Sequence, residues 1–188
     1  MNSVLALSAR KAGTLTRPLA VIVAGIALIT ICAKIHIPSW PVPMTLHTLA
    51  VMAIAVAMGP RLSFATFLGY LAVGAAGLPV FSDSPERGIG LAYMMGPTGG
   101  YLLGYLAASW LSSALAEGRK TLGRVVAMLA GLAVTYAVGL VWLAFFVPAD
   151  KVIVLGFTPF ILGDLINIAM VAFGAALVPA RFIGKIGR

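Results

Sequence analysis

Charge is what this sequence has least of. Of 188 residues, five are acidic, thirteen are lysine or arginine and two are histidine, so that 10% of the chain is charged, against about a quarter in a soluble domain. With 61% hydrophobic residues and a mean hydropathy of +1.07, this scarcity excludes an ordinary water-soluble fold, and the solvent of the chain is lipid. The single cysteine, Cys32, excludes an internal disulfide. With no Cys/His pair at ligand spacing, no metal site is expected, and Cys32 reads as a small core residue. One buried carboxylate, one cysteine and two scattered histidines supply no paired acid and base, no activated nucleophile and no ligand set, which counts against an intramembrane enzyme. No cofactor is expected either.

What the chain does have is a series of apolar runs. Its length suffices for several spans of about 20 residues with short connections, leaving no room for a separate aqueous domain. The expected organisation is a single membrane domain over 1–188, an all-α integral membrane protein with spans near 18–35, 44–58, 62–78, 98–116, 124–147 and 158–178. The first opens at Pro18, a residue suited to a first helical turn. Residues 1–17 lead into that run without a small-residue cleavage site, so a retained span is expected rather than a removed signal peptide. The second run, Met44 to Met58, covers only about 22 Å as a helix and crosses only if its ends dip. Pro38, Pro41 and Pro43 make 38–43 an extended loop.

The net charge of +8 would suggest nucleic acid in a soluble protein. Here the cations cluster at the ends of apolar runs, where they report topology, and no nucleic-acid partner is expected. Ten of them (Arg10, Lys11, Arg17, Arg61, Arg119, Lys120, Arg124, Arg181, Lys185 and Arg188) fall on the side of the termini; Lys34, Arg87 and Lys151 fall on the other. By the positive-inside rule both termini are cytoplasmic. The loop at 36–43, the stretch from Gly77 to Tyr101 and the segment PADKVIVLGF then lie outside. The stretch GLPVFSDSPERGIGLAYMMGPTGGY cannot be one helix, because Pro79, Pro85, Pro97 and its glycines break it. Leu78, Val80, Phe81, Leu91, Tyr93, Met94 and Met95 nevertheless have the polarity of something that packs. It reads as a structured outer loop capping a ligand pocket.

Asp164 is the most informative residue. It lies within the last apolar run, where a carboxylate costs about 2.5–3.5 kcal/mol on insertion scales, and Asn167 follows at i+3 on the same face. An acceptor beside an amide suits a polar neutral group such as a urea; a polar pair holding helices together is the other reading. Arg87, the one outer-face arginine, can pair bidentately with a ligand carboxylate or with its neighbours Asp83 and Glu86. Trp40, Tyr93 and Tyr101 can wall a pocket or form an interfacial belt. His47, in the short second run, is a core histidine or a ligand contact, and His36 a loop residue. GPTGGYLLG looks like a phosphate-cradling turn but lacks the lysine of a P-loop, so close backbone packing competes with it; Thr98 would be its helix N-cap. Ala20 and Ala24 form a small-xxx-small surface for an internal helix or for a partner subunit.

Taken together and in order, IHIPSWPVPMTLHTLAV, GLPVF, GPTGGYL and PFILGDLIN make residues 18–180 resemble BioY, the biotin-binding substrate (S) components of energy-coupling-factor (ECF) transporters. The resemblance implies a six-helix capture subunit in the cell membrane. It would take biotin from outside and deliver it inward with a transmembrane coupling protein and two ABC-type ATPases, hydrolysing no ATP itself. It also implies that Asp164 and Asn167 meet the biotin head group, that residues from Arg87 and Gly88 to Tyr93 line the remainder, and that Ala20 and Ala24 face the coupling protein. The chain departs from the family pattern at Leu46-His47-Thr48-Leu49, where LQTL is common, and at Asn167, where a lysine is common. An S component for a biotin analogue or another vitamin, and a purely structural membrane subunit, are the alternative readings.

Overall fold

The computed structural model describes residues 2–37 and 44–177, with side chains for residues 16–37 and 45–177. Helix α1 (Asn2–Lys34) carries the first apolar run, and Pro18 lies inside it rather than opening it. A proline removes one backbone bond and crowds the preceding turn, but the unbroken apolar run beyond it keeps the helix going to Lys34. Two short strands follow, β1 (His36–Ile37) and β2 (Met44–Thr45), paired antiparallel with His36 opposite Thr45. The proline loop joining them, with Trp40, lies outside the described residues.

Helix α2 (His47–Met58) is apolar all round, and eight of its twelve residues are buried. Burial on every side is what such a sequence requires, and α2 accordingly supplies side chains to both core clusters. Ala50, Val51 and Ile54 pack with Ile29, Phe67, Tyr70 and Phe81, while Met52 and Val56 pack with Met128, Leu132, Ile168 and Val171. The 44–58 run is therefore a twelve-residue helix entered through an extended β2, which covers more length per residue than a helix does. Gly59, at φ +79, turns the chain so that Pro60 opens α3 (Pro60–Ala75).

The remaining elements are α4 (Gly90–Met94), α5 (Gly99–Ala116), α6 (Thr121–Leu143), a 3-10 turn at Ala149–Lys151, α7 (Val152–Gly156) and α8 (Thr158–Leu177). Helices α5 and α6 pack backbone to backbone. A Cβ on Gly104 would sit 2.7 Å from the Thr135 Cα, and one on Gly139 would sit 2.4 Å from the Tyr101 ring. The glycine-rich start of α5 thus serves close packing, one of the two readings its sequence allows. Thr98 precedes α5 with a helical backbone and makes no side-chain cap, contrary to expectation; an N-cap hydroxyl needs an extended backbone to reach back to the first turn.

Three helical segments, Thr16–Lys34, Thr121–Leu143 and Ala149–Leu177, are long and apolar enough to cross a membrane, and His47–Met58 is a shorter apolar helix. Large apolar side chains point outward along them, among them Val23, Ile31, Val141, Leu162 and Phe173. Hydroxyls are turned inward: Thr135 and Ser109 bond carbonyls of their own helices and Ser63 bonds Ile54 O on α2. This inside-out distribution suits a lipid solvent, in which helices gain from polar and small-residue contacts with each other.

Candidate ligand-binding site

The stretch from Gly77 to Tyr101 is fixed to the bundle at several points. Phe81, fully buried, lies against Gly74, where even a Cβ would meet the ring at 2.0 Å. Tyr70 OH donates to Val80 O at 3.2 Å, Tyr93 OH to Ser82 O at 2.8 Å and Trp142 Nε1 to Gly96 O at 2.9 Å. Lys34 Nζ, at the end of α1, donates to Ser84 O and, at 2.8 Å, to Ser84 Oγ. Burial pushes the Tyr93 phenol up from its ordinary pKa, which keeps its proton available for this bond. The loop is irregular because of its prolines and glycines, yet held by aromatic packing and by donors aimed at its carbonyls.

Beneath it lies a cavity of about 290 Å³, at the end of the bundle where α2, α5 and α8 begin and α6 approaches its C-terminus. Its inner wall carries Asp164 from α8. Thr48 Oγ1 donates to Asp164 Oδ1 at 2.6 Å, and Tyr136 OH donates to Oδ2 at 2.5 Å. With its one proton spent on Asp164, Thr48 accepts from Tyr105 OH at 2.5 Å. Four elements, α2, α5, α6 and α8, thus converge on one carboxylate. An ionised carboxylate has about four acceptor positions, and two are filled, so Asp164, only partly buried, keeps capacity toward the cavity.

His47 also lines the cavity. It is buried among Phe67, Tyr70 and Tyr105, with ring centroids 6.1, 5.7 and 4.9 Å away, and its Nε2 has no hydrogen-bond partner. It is therefore a core residue that also borders the cavity. Tyr101 and Tyr93 line the cavity as well, with Tyr101 OH tied to Gly156 O at 2.8 Å. At the loop side stand Arg87, His36 and Asp83. Asp83 Oδ1 is 2.9 Å from His36 Nε2, and Asp83 Oδ2 is 3.3 Å from Arg87 Nε.

Other expected site residues are placed differently. Asn167 is buried and does not line the cavity. Its Nδ2 donates to Thr45 O at 3.1 Å, so it holds β2, whose Thr45 does line it, and its Oδ1 is without a partner. Gly88 is a turn residue at φ +105, its N–H bonded to Pro85 O at 2.8 Å, and lies outside the cavity lining. Ala20 and Ala24 are exposed on α1. The sequence reading missed Thr48, Tyr105, Tyr136, His36 and Asp83. A signal existed for one of them: Thr98, Tyr101 and Tyr105 recur at i, i+3 and i+7, one stripe on a helix.

Fold and site together define a class: a small helical membrane protein with a cavity under a stapled loop, a carboxylate and hydroxyls at its floor and Arg87 at its rim. The chain belongs to the BioY family, whose model matches residues 3–183. It is 35% identical to a probable biotin transporter BioY of Pyrococcus horikoshii over 160 residues, covering 85% of this chain and 92% of the relative. It is 38% identical to the biotin transporter BioY of Thermotoga maritima over 157 residues, 82% and 89% of the two chains. Its fold matches a crystal structure of the S-component for biotin from an ECF-type ABC transporter, with a TM-score of 0.71 at 23% identity over 94% of this chain and 97% of that one.

Proposed function

We propose that this protein is the biotin-binding S component of an ECF-type transporter, a capture subunit of the cell membrane that takes biotin from the outer face and performs no chemistry on it. The observation that carries the reading is the Asp164 cluster at the floor of the cavity. A cyclic urea offers two N–H donors, which suits a carboxylate with two acceptor positions to spare. Arg87 at the rim is positioned for the carboxylate at the end of the ligand's tail. Tyr93, Tyr101 and the buried rings around His47 supply the apolar walls for the bicycle and chain. Asn167 acts through Thr45 in this reading, and Gly88 through the turn that presents Arg87.

In the same proposal α1, α2, α3, α5, α6 and α8 are six spans with both termini cytoplasmic, as the ten-to-three distribution of lysine and arginine supports. That orientation turns the cavity outward. The exposed Ala20 and Ala24 face is the surface for the transmembrane coupling protein, and separate ATPases supply the energy. Calorimetry of the purified full chain with biotin tests the reading. Saturable one-to-one binding without turnover is expected, and no heat at high micromolar biotin overturns it.

A further inference from the structure

Among the described residues lining the cavity, the cationic or protonatable nitrogens at the rim are those of Arg87 and His36, and both are engaged by one carboxylate of the chain itself, Asp83. We propose that Asp83 is a placeholder: its carboxylate engages Arg87 and His36 at the rim, and a ligand carboxylate must displace it from Arg87 to bind. The inference rests on the reading of Arg87 as the partner of the ligand's carboxylate.

Three observations carry it. Asp83 lines the cavity beside Arg87, so the competing groups share one space. The pair is also easily exchanged, because the Arg87 and Asp83 side chains are 67% and 37% exposed and their contact is a single 3.3 Å approach, and His36 is 38% exposed. Exposed ion pairs of this kind are weak and cost little to break. Finally, the loop does not need the carboxylate to hold its shape. Phe81, the Tyr70 bond to Val80, the Tyr93 bond to Ser82 and the Lys34 bonds to Ser84 fix the backbone on both sides of residue 83. Asp83 itself stands at φ +54, a left-handed conformation that Asp and Asn tolerate better than most residues and glycine adopts freely. A group that occupies the binding guanidinium lowers apparent affinity by the fraction of molecules in which it does so, and only for ligands that carry the competing charge.

Asp83→Asn keeps the shape and the backbone preference while removing the charge. In calorimetry on the full chain in detergent, with biotin and its neutral primary amide as probes, wild type is expected to prefer biotin. Asp83→Asn is expected to tighten biotin by about two- to fivefold, the range an exposed ion pair carries, and to leave the amide unchanged. Asp83→Gly, which removes the carboxylate and accepts positive φ, gives the same pattern and covers a failure of the first variant to fold. Weaker or unchanged biotin binding, or equal tightening of both probes, overturns the proposal and returns Asp83 to a purely structural role. Equal affinity of wild type for both probes overturns the Arg87 reading beneath it, and the placeholder with it. Binding of neither probe overturns the assignment of biotin.

Discussion

Asp164 depends on residues from three other helices, which makes its neighbourhood a graded series of tests. If Asp164 is the acceptor for the ligand head, as proposed, Asp164→Ala is expected to weaken biotin at least tenfold, about 1.4 kcal/mol, in a protein that still folds; an unchanged dissociation constant would place Asp164 among helix-holding residues instead. Thr48→Val keeps volume but takes away both the donor to Asp164 Oδ1 and the acceptor for Tyr105 OH. Leaving such groups unsatisfied costs about 1–3 kcal/mol, and the carboxylate then turns toward the remaining donor, Tyr136. Tyr105→Phe removes only the outermost donor. The expected order of loss in calorimetry is therefore Asp164→Ala, then Thr48→Val, then Tyr105→Phe. A Tyr105→Phe loss equal to that of Asp164→Ala would mean that the tyrosine touches ligand directly rather than acting through Thr48.

At the scale of elements the loop from Gly77 to Tyr101 is anchored on Phe81. The ring fills the space over Gly74, packs edge-on to Tyr70 at 5.4 Å and stacks on Tyr93 at 4.8 Å. Phe81→Ala leaves a cavity of ring size at a cost of about 3–5 kcal/mol. That loss falls on the loop first, since α5 and α6 are closed by their own glycine contacts. Limited proteolysis between Ser82 and Gly90 is expected to quicken, and bound biotin to leave faster, before the helices melt; simultaneous loss of loop and bundle would show the loop to be part of the cooperative core. Much of this element was legible beforehand: its prolines and glycines excluded a single helix, and Val80, Phe81, Tyr93 and Met94 pack as their polarity suggested, whereas Leu78, Leu91 and Met95, read the same way, are exposed. That Phe81 sits on Gly74 was not legible, because a glycine within an apolar helix carries no mark of what approaches it. The site was half legible for a similar reason. A carboxylate in an apolar run stands out by its cost, whereas Thr48, 116 residues away from it, and Tyr136 are residues that cores and membrane belts also use.

For the whole molecule the question is which surface meets lipid and which meets another subunit. Most of the outward apolar face is made of large side chains, such as Leu19, Val23, Leu28 and Ile31 on α1, and these suit fluid chains. Ala20 and Ala24 lie exposed among them, one turn apart. Small residues at this spacing lower the surface enough for a second helix to approach closely, a feature that gains nothing against lipid. The cavity lies beyond this face, at the loop end of the bundle, so a bulky group on α1 can block assembly without touching the ligand. Ala20→Trp is accordingly expected to bind biotin as the wild type does and yet fail in uptake when expressed with its coupling subunits. Binding measured on the purified chain and uptake measured in cells separate the two effects. Normal uptake by Ala20→Trp would show that the partner docks elsewhere, whereas loss of binding would show that α1 transmits its position to the pocket through Lys34 and its bonds to Ser84.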